Sequence, residues 1–180
     1  MSKILHGGRL SSVREDVAKF TSSIKDDARL LNAVVAINKA HVVMLTEQKI
    51  ISKADGAKLL SALDKNSNMT LDSSMEDVHM AVEEAVLKEA GTEAGGNLHI
   101  AKSRNDQVTT AIRMQLRIEL IALMRSVAHV QDHLVEVAEE HQNTVILEYT
   151  HLQPAQPVTF AHYLISSFDA LACQKPLGDG

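Results

Sequence analysis

A long stretch with helical apolar spacing and no helix-breaking residue constrains the fold of this chain more than any other feature. From Asn105 to His141 there is neither proline nor glycine, the two residues that most disfavour a helix interior. One helix over this range would be roughly 55 Å long at about 1.5 Å per residue, well beyond the roughly 30 Å width of a small domain. The sequence therefore predicts a structure organised around long helices.

Apolar residues lie on more than one side of this predicted helix. One line at helical spacing consists of Val108, Ile112, Leu116, Leu120, Leu123, Val127, Val130 and Leu134, and a second set that widens it consists of Met114, Ile118, Ile121, Met124 and Val135. A helix that is apolar on several sides must be covered by several neighbours. The chain after it supplies one further helix of any length, from about Phe160 to Cys173. We therefore expect the chain either to oligomerise or to be part of a longer protein.

Residue content favours the same all-α fold class. Only 3 of the 180 residues are proline and 8 are glycine, while 45% are hydrophobic, so an ordered and almost entirely helical protein is expected. We predict an amino-terminal helical domain over residues 1–100, followed by the beginning of a central helical bundle over residues 101–180.

Local signals predict where the shorter helices begin and end. Three possible capping boxes, each a serine followed three residues later by an acidic residue, are Ser12–Glu15, Ser52–Asp55 and Ser73–Glu76. Apolar spacing predicts one amphipathic helix from Asp27 to Glu47. Gly91 should end the third capped helix, and Gly95 with Gly96 indicates a turn.

Charge and cysteine content argue against several classes of protein. The net charge is −5 and no basic block is present, so a nucleic-acid surface is not expected. A single cysteine, Cys173, argues against a disulfide framework or a cysteine-based zinc site. The sequence has neither a signal peptide nor 18 consecutive apolar residues. We expect a soluble, cytoplasmic protein that does not enter a membrane.

Two densely polar segments lie near predicted helix starts. In Glu76–Met80, the ordinary interpretation is that Asp77 complements a helix dipole and His79 is partly buried. In Ser103–Gln107, a hydroxyl, a guanidinium, a carboxamide and free backbone N–H groups together can bind a carboxylate. A helix cap by Asn105 or Asp106 explains part of the same segment, and both interpretations remain open.

A third polar segment, Tyr149–Pro157, is predicted to be a loop because two prolines keep it from forming a helix. It contains His151, and histidine is the side chain best suited to proton transfer near neutral pH. A purely structural loop is the alternative. Elsewhere, His129 and His133 have the spacing of metal ligands, but no third ligand is indicated, so we interpret them as part of a solvated face.

Taken together, these segments resemble the argininosuccinate lyase branch of the fumarase/aspartase superfamily. The matching motifs, in the family's order, are Phe20–Ser23, Glu76–His79, Glu93–Gly96, Ser103–Val108 and Tyr149–Phe160. The resemblance extends from about Gly8 to Leu171. The Ser-Arg-Asn-Asp form of the fourth motif distinguishes this branch from fumarases and adenylosuccinate lyases.

The resemblance implies a reversible β-elimination in which argininosuccinate gives arginine and fumarate, a step of arginine biosynthesis. A base removes a proton beside a carboxylate, an aci-carboxylate dianion forms, and an acid protonates the departing nitrogen. The resemblance implies no metal and no organic cofactor. It also implies a homotetramer in which three subunits contribute to each active site.

The resemblance further implies which residues form the site. His151 matches the catalytic histidine that takes part in proton transfer. Substrate-binding positions are matched by Ser23, Asp27, Asp77, His79, Ser103, Arg104, Asn105, Thr150 and Gln153. Donors at the start of the long helix are suited to a carboxylate on which charge develops.

Two departures from the family pattern bear on activity. Ile100–Lys102 replaces the usual Thr-Gly-Arg or Thr-Ala-Arg, and the sequence stops at Gly180, whereas the family is more than twice as long. Its serine-bearing third motif is not found here, so we expect this chain to be an inactive or impaired fragment. The alternatives are a non-catalytic helical assembly protein and a sister lyase that releases fumarate from another substrate.

Overall fold

The computed structural model describes residues 15–72 and 75–173. The helices are α1 (Glu15–Thr21), α2 (Ile24–Asp27), α3 (Leu31–Glu47), α4 (Lys53–Lys65), α5 (Val78–Ala90), α6 (Thr92–Gly96), α7 (Arg104–Glu140) and α8 (Phe160–Ala172), with 3-10 turns at Ala28–Leu30 and Asn97–His99. Strands β1 (Val145–Thr150) and β2 (Gln153–Thr159) form one hairpin. The helical fold class is confirmed, since 73% of the described residues are helical.

Several predicted helix boundaries agree with the structure. Helix α7 begins and ends one residue before the predicted range, and α8 ends one residue before Cys173. The capping box that opens α4 is present: the Ser52 hydroxyl accepts from the Asp55 backbone N–H at 3.0 Å and donates to its carboxylate at 2.7 Å. The capping serines of the other two predicted boxes, Ser12 and Ser73, lie outside the described residues.

Three local predictions are wrong. Helix α5 begins at Val78, because Asp77 caps it by accepting from the Met80 N–H at 2.7 Å. The predicted continuous helix from Asp27 opens with a 3-10 turn before α3. Gly95 and Gly96 belong to α6 rather than to a turn, and a Cβ on Gly95 would lie 2.9 Å from Leu87 Cα. Gly95 therefore permits a close approach between α5 and α6.

The polar segment predicted to be a loop forms an antiparallel hairpin instead. Thr150 pairs with Gln153, so His151 and Leu152 make a two-residue turn with φ angles of 48° and 62°. Positive φ at both central positions is typical of the type I′ turn, which matches the twist of a hairpin. Prolines are tolerated in β2 because both strands of a two-stranded sheet are edges.

The chain forms two compact units, residues 1–117 and 118–180, and α7 contributes to both. In unit 1, α3, α4 and α5 bury a continuous apolar core that includes Val34, Val42, Leu45, Leu59, Leu63, Val78, Val82 and Val86. Gly91, at φ 84°, ends α5 as predicted. The predicted domain boundary near residue 100 stays a prediction.

Unit 2 combines the second part of α7 with the hairpin and α8. Thr159 caps α8 by accepting from the His162 N–H at 3.2 Å, and the ring of Phe160 contacts those of His141 and Tyr163 at centroid distances of 5.3 and 6.4 Å. Large apolar side chains remain exposed along α7, among them Ile118, Leu120, Ile121, Leu123, Met124 and Val130.

One helical stretch, Ile24–Glu47, is long and apolar enough to cross a membrane by length and composition alone. Val34, Val42 and Leu45 from this stretch are fully buried in the core of unit 1. Core helices of soluble proteins have the same composition, so this stretch is accounted for by the packing of unit 1.

Candidate active site

The predicted site residues are divided between the two units. Unit 1 contains Ser23, Asp27, Asp77, His79, Ser103, Arg104 and Asn105, and unit 2 contains Thr150, His151 and Gln153. Within unit 1, most of these side chains interact around the start of α5 and the start of α7. In unit 2, all three lie at the tip of the hairpin.

Asp77 joins the two helix starts in unit 1. Its Oδ1 atom caps α5 and also lies 3.7 Å from Arg104 Nη1. The ordinary interpretation of Asp77, as a residue that complements a helix N-terminus, therefore agrees with its capping of α5. The same carboxylate oxygen also faces the guanidinium of α7, which the sequence pattern alone did not indicate.

Arg104 is held by two acidic residues of the α5 region. Its Nη2 atom donates to Glu83 Oε2 at 3.4 Å, while Nη1 lies within ion-pair range of Asp77. Nη1 is buried and makes no hydrogen bond to any described residue. Since a guanidinium can bind a carboxylate through two parallel N–H groups, Nη1 is a donor available to an anionic ligand.

His79 is 2% exposed, and neither ring nitrogen has a hydrogen-bond partner in the described parts of the chain. Burial lowers the pKa of His79, and the Arg104 guanidinium lowers it further. The carboxylates of Asp77, Asp27 and Glu83 oppose this by favouring the charged ring. The result is a neutral imidazole with one donor and one acceptor free, whereas buried polar groups are usually satisfied.

Ser23 and Asp27 are tied to the same region by backbone contacts. The Ser23 N–H donates to the Glu76 carbonyl at 2.8 Å, directly before the Asp77 cap. The Ser23 hydroxyl donates to Asp27 Oδ2 at 2.5 Å. The amino-terminal segment is thereby fixed beside α5, and the Asp27 carboxylate is near enough to influence the His79 ring.

Ser103 is the residue that caps α7. Its hydroxyl accepts from the Asn105 N–H at 3.3 Å, and because the helix begins at Arg104, the alternative of a cap by Asn105 or Asp106 is wrong. Both Ser103 and Asn105 are exposed. Their polar groups remain accessible next to the partly buried guanidinium of Arg104.

Lys102 adds a second cation beside Arg104. Its amine donates to the buried Asn38 carboxamide oxygen. Burial lowers the pKa of Lys102 to about 8, against an opposing effect of the Glu83 carboxylate and with a small further lowering by Arg104. The lysine that departs from the family pattern is thus part of the same charged cluster.

At the hairpin tip, His151 and Leu152 occupy the left-handed region without being glycine. Such a conformation costs about 1–2 kcal/mol per residue and is concentrated at functional sites. His151 is exposed, and Leu152 is 91% exposed. The turn therefore presents the imidazole outward on a defined backbone.

Two residues of unit 1 were not among the predicted site residues: Glu83, which was not singled out at all, and Gln107, which belongs to the polar segment Ser103–Gln107. Glu83 lies four residues after His79 on α5, and Gln107 lies three residues after Arg104 on α7, so each shares a helix face with a predicted site residue. Gln107 is 3% exposed, and its amide atoms have no partner among the described residues. The helical spacing was the signal that could have identified both.

No metal site is apparent in residues 15–72 and 75–173, where no group of three or more histidine, cysteine, aspartate or glutamate side chains could hold an ion. His133 Nδ1 lies 3.4 Å from Glu136 Oε2, and both side chains are about three-quarters exposed. This agrees with the interpretation of His129 and His133 as part of a solvated face. Cys173 is likewise exposed.

Comparison with known families matches residues 9–175 to the lyase family. Argininosuccinate lyase from Methanocaldococcus jannaschii is 41% identical over 93% of this chain, and that from Methanosphaera stadtmanae is 45% identical over 90%. In both cases the match covers 36% of the relative's length. The chain thus spans about a third of the curated relatives it matches.

Among solved structures, EDDS lyase in complex with formate superposes with a TM-score of 0.75 at 33% identity. The match covers 82% of this chain and 29% of that one. A muconate cycloisomerase from Acinetobacter calcoaceticus has a TM-score of 0.71 at 19% identity, over 89% of this chain and 38% of that one, and so agrees in fold alone.

Proposed function

Since this chain belongs to the lyase family, we propose that it carries the substrate-binding part of an argininosuccinate lyase, which eliminates fumarate from argininosuccinate and leaves arginine. The observation that carries the proposal is its identity of 38–45% to argininosuccinate lyases over at least 90% of the chain. The proposed ligands are argininosuccinate, fumarate and arginine. No metal or organic cofactor takes part.

The carboxylate beside the reacting carbon binds at the start of α7. Arg104 Nη1 donates to it, together with the accessible groups of Ser103 and Asn105. When a base removes the neighbouring proton, negative charge moves onto this carboxylate, and these donors stabilise the aci-carboxylate more than the ground state. Fixed donors at the site of developing charge are usually the largest contribution to such a reaction.

His79 binds substrate as a neutral imidazole. Its depressed pKa keeps one ring nitrogen as an acceptor at neutral pH, while the other donates. A charged ring beside Arg104 would add a second cation and lose the acceptor. Ser23, Asp27 and Asp77 complete this side of the site and favour cationic parts of the substrate.

Proton transfer belongs to the hairpin tip. His151 acts directly or through a hydroxyl, and its neighbours Thr150 and Gln153 bind substrate. A turn of defined backbone suits this role because general acid–base catalysis requires hydrogen-bond reach to the proton that moves. A complete site assembles from several copies of the chain, and we propose a homotetramer located in the cytoplasm.

A sister lyase with a different substrate is the second candidate. The specific observation in its favour is the 33% identity and TM-score of 0.75 to EDDS lyase. The higher identity to argininosuccinate lyases, up to 45%, favours the first candidate. A non-catalytic assembly protein would have no need of the buried free donors of Arg104 and His79.

Fumarate release, followed by its ultraviolet absorbance, tests the proposal. The purified chain is incubated separately with argininosuccinate, adenylosuccinate and EDDS, and ligand binding is measured in parallel by calorimetry. The matched control is His151→Ala, with His129→Ala as a histidine change on the solvated face of α7. We expect argininosuccinate to bind in preference to the other two compounds.

The outcomes separate the candidates. Fumarate from argininosuccinate, lost in His151→Ala but kept in His129→Ala, supports lyase activity by this chain. Argininosuccinate binding without release supports the binding role and assigns the rest of the reaction to residues outside these 180. Preferred binding of EDDS or adenylosuccinate supports the sister lyase, and no binding of any of the three contradicts both.

A further inference from the structure

Glu83 belongs to the charged cluster of unit 1, which consists of Asp77, His79, Glu83, Lys102 and Arg104. Its side chain is 14% exposed, and its two carboxylate oxygens have different partners. Oε2 accepts from Arg104 Nη2 at 3.4 Å, and Oε1 lies 3.3 Å from His99 Nδ1. A third basic group, Lys102, is close enough for Glu83 to favour its charged form.

We propose that Glu83 is a positioning residue, which fixes the Arg104 guanidinium through Nη2 so that Nη1 remains available for the substrate carboxylate. The expected effect on substrate binding rests on the proposed function, whereas the contact between Glu83 and Arg104 does not depend on that function. Glu83 need not touch substrate, because it acts through Arg104.

Arg104 needs such a partner because its guanidinium could otherwise pair with Asp77 and no longer be free to bind the substrate carboxylate. Arg104 Nη1 already lies 3.7 Å from Asp77 Oδ1, and a guanidinium released from Glu83 could turn both terminal nitrogens toward that carboxylate. It would then compete with the Met80 N–H for the cap of α5. An arginine side chain also loses rotamer freedom when it is ordered, and the contact with Glu83 restricts part of that freedom before substrate binds.

Glu83 also organises the loop that leads into α7. His99 ends the 3-10 turn at Asn97–His99, and Lys102 follows before the cap of the helix. One partly buried carboxylate on α5 thereby faces three basic residues of this loop and helix start. A cavity of about 430 Å³ is lined by Glu83, His99 and Arg104 together with Leu87, Gly95, Gly96 and Leu98.

The direct test is NMR on the whole chain labelled at arginine, histidine and lysine. Glu83→Gln removes the charge with little change in shape, and Glu84→Gln removes a charge from the next residue of α5 as the matched control. Glu83→Asp keeps the charge but shortens the side chain. The measured quantities are the Arg104 Nε–H signal, the pKa values of His79 and Lys102, and the affinity for fumarate alone.

In Glu83→Gln we expect the Arg104 signal to shift and broaden, and the pKa of both His79 and Lys102 to fall, because the favourable carboxylate is gone. Fumarate affinity should fall roughly tenfold, the effect of losing one charged hydrogen bond. Glu84→Gln should leave all four quantities at the wild-type values. Glu83→Asp should restore both pKa values but not the sharp Arg104 signal.

An unchanged Arg104 signal and unchanged pKa values in folded Glu83→Gln would overturn the inference. If Glu83→Gln does not fold, Glu83→Asp decides, since a wild-type Arg104 signal there would show that the carboxylate's reach is irrelevant. If the wild-type chain binds neither fumarate nor argininosuccinate, the proposed function fails. The Arg104 signal and the two pKa values still report on Glu83 in that case.

Discussion

The two units of this chain contain similar apolar residues but differ in how far those residues are buried. In unit 1, leucine and valine side chains of α3, α4 and α5 are fully buried against one another. In the described part of unit 2, Ala138 is the one apolar residue that is buried, while Leu123 and Met124 are each 60% exposed. Unit 1 therefore covers its own core, and unit 2 leaves most of its apolar surface uncovered.

Helix α7 shows this contrast within one element. Near its start, Ala111 is fully buried and Gln107 is 3% exposed, whereas Ile118, the first residue of unit 2, is 60% exposed. Because both parts of the helix carry apolar residues, this difference in exposure lies in the neighbours that cover them. The exposed apolar part of α7 is therefore the part from which we predict oligomerisation.

The largest expected effect comes from the core of unit 1. Leu59→Ala, at a fully buried position, should lower the free energy of unfolding by about 2–5 kcal/mol through lost burial and an uncollapsed cavity. Leu123→Ala, at a position that is 60% exposed, should change it by less than about 0.5 kcal/mol. Urea unfolding followed by circular dichroism, at concentrations where the chain is monomeric, measures both. Equal losses of unfolding free energy in the two variants would contradict the difference in burial between unit 1 and unit 2.

The next effect concerns association of unit 2. Light scattering should find a dimer or a larger oligomer, because extended apolar patches on a soluble chain mark interaction sites. Leu120→Glu should weaken association at least tenfold, since a buried leucine contributes about 1.5–3 kcal/mol. Gln142→Glu adds the same charge in the turn after α7 and should have little effect. A monodisperse wild-type monomer at high concentration would refute this prediction.

A smaller effect is expected at the hairpin turn. Leu152→Gly should stabilise the hairpin by about 0.5–1 kcal/mol, because glycine adopts positive φ without strain but loses more backbone entropy. Amide hydrogen exchange along β1 reports this change. Leu147→Gly, at an extended strand position, should instead weaken protection. Faster exchange in Leu152→Gly would mean that the turn is not strained.

The smallest expected effect is a pH dependence of unit 1. Burial lowers the pKa of His79 below its unfolded value, so between those two values the unfolded state binds more protons. This contribution to stability should be full above the unfolded value of about 6.5 and be lost as the pH falls through the lowered folded pKa. His79→Gln should reduce this loss in urea unfolding across pH, while the exposed His129→Gln should retain it. An identical pH profile for His79→Gln would exclude His79 as its source.

The long elements of the fold could be predicted from the sequence because their signals are strong. Thirty-seven consecutive residues without proline or glycine give α7, and the Ser52 capping box gives the start of α4. The hairpin could not be predicted in this way. Pro154 and Pro157 argue against a paired strand in general, and only an isolated two-stranded sheet leaves both strand edges open to them.

The candidate site was predictable where the residues lie in contiguous motifs. Ser103, Arg104 and Asn105 are adjacent in sequence, and so are Thr150 and His151. Glu83 was missed because its role depends on α5 and α7 meeting, which is a tertiary contact. The sequence also did not predict that both ring nitrogens of His79 would be buried without a partner among the described residues. The neighbours of His79 in the sequence are ordinary for a helix start.

The most direct test of this account is a titration of the nitrogen-15-labelled chain with argininosuccinate, followed by NMR of its side chains. We predict that the NMR signals of the His79 ring nitrogens and of the Arg104 guanidinium shift together as ligand is added. We also predict that Arg104→Ala abolishes binding. Arginine alone, which lacks the succinate carboxylates, should move neither signal. Saturable argininosuccinate binding that leaves both His79 and Arg104 unshifted would contradict the assignment of the carboxylate site to unit 1.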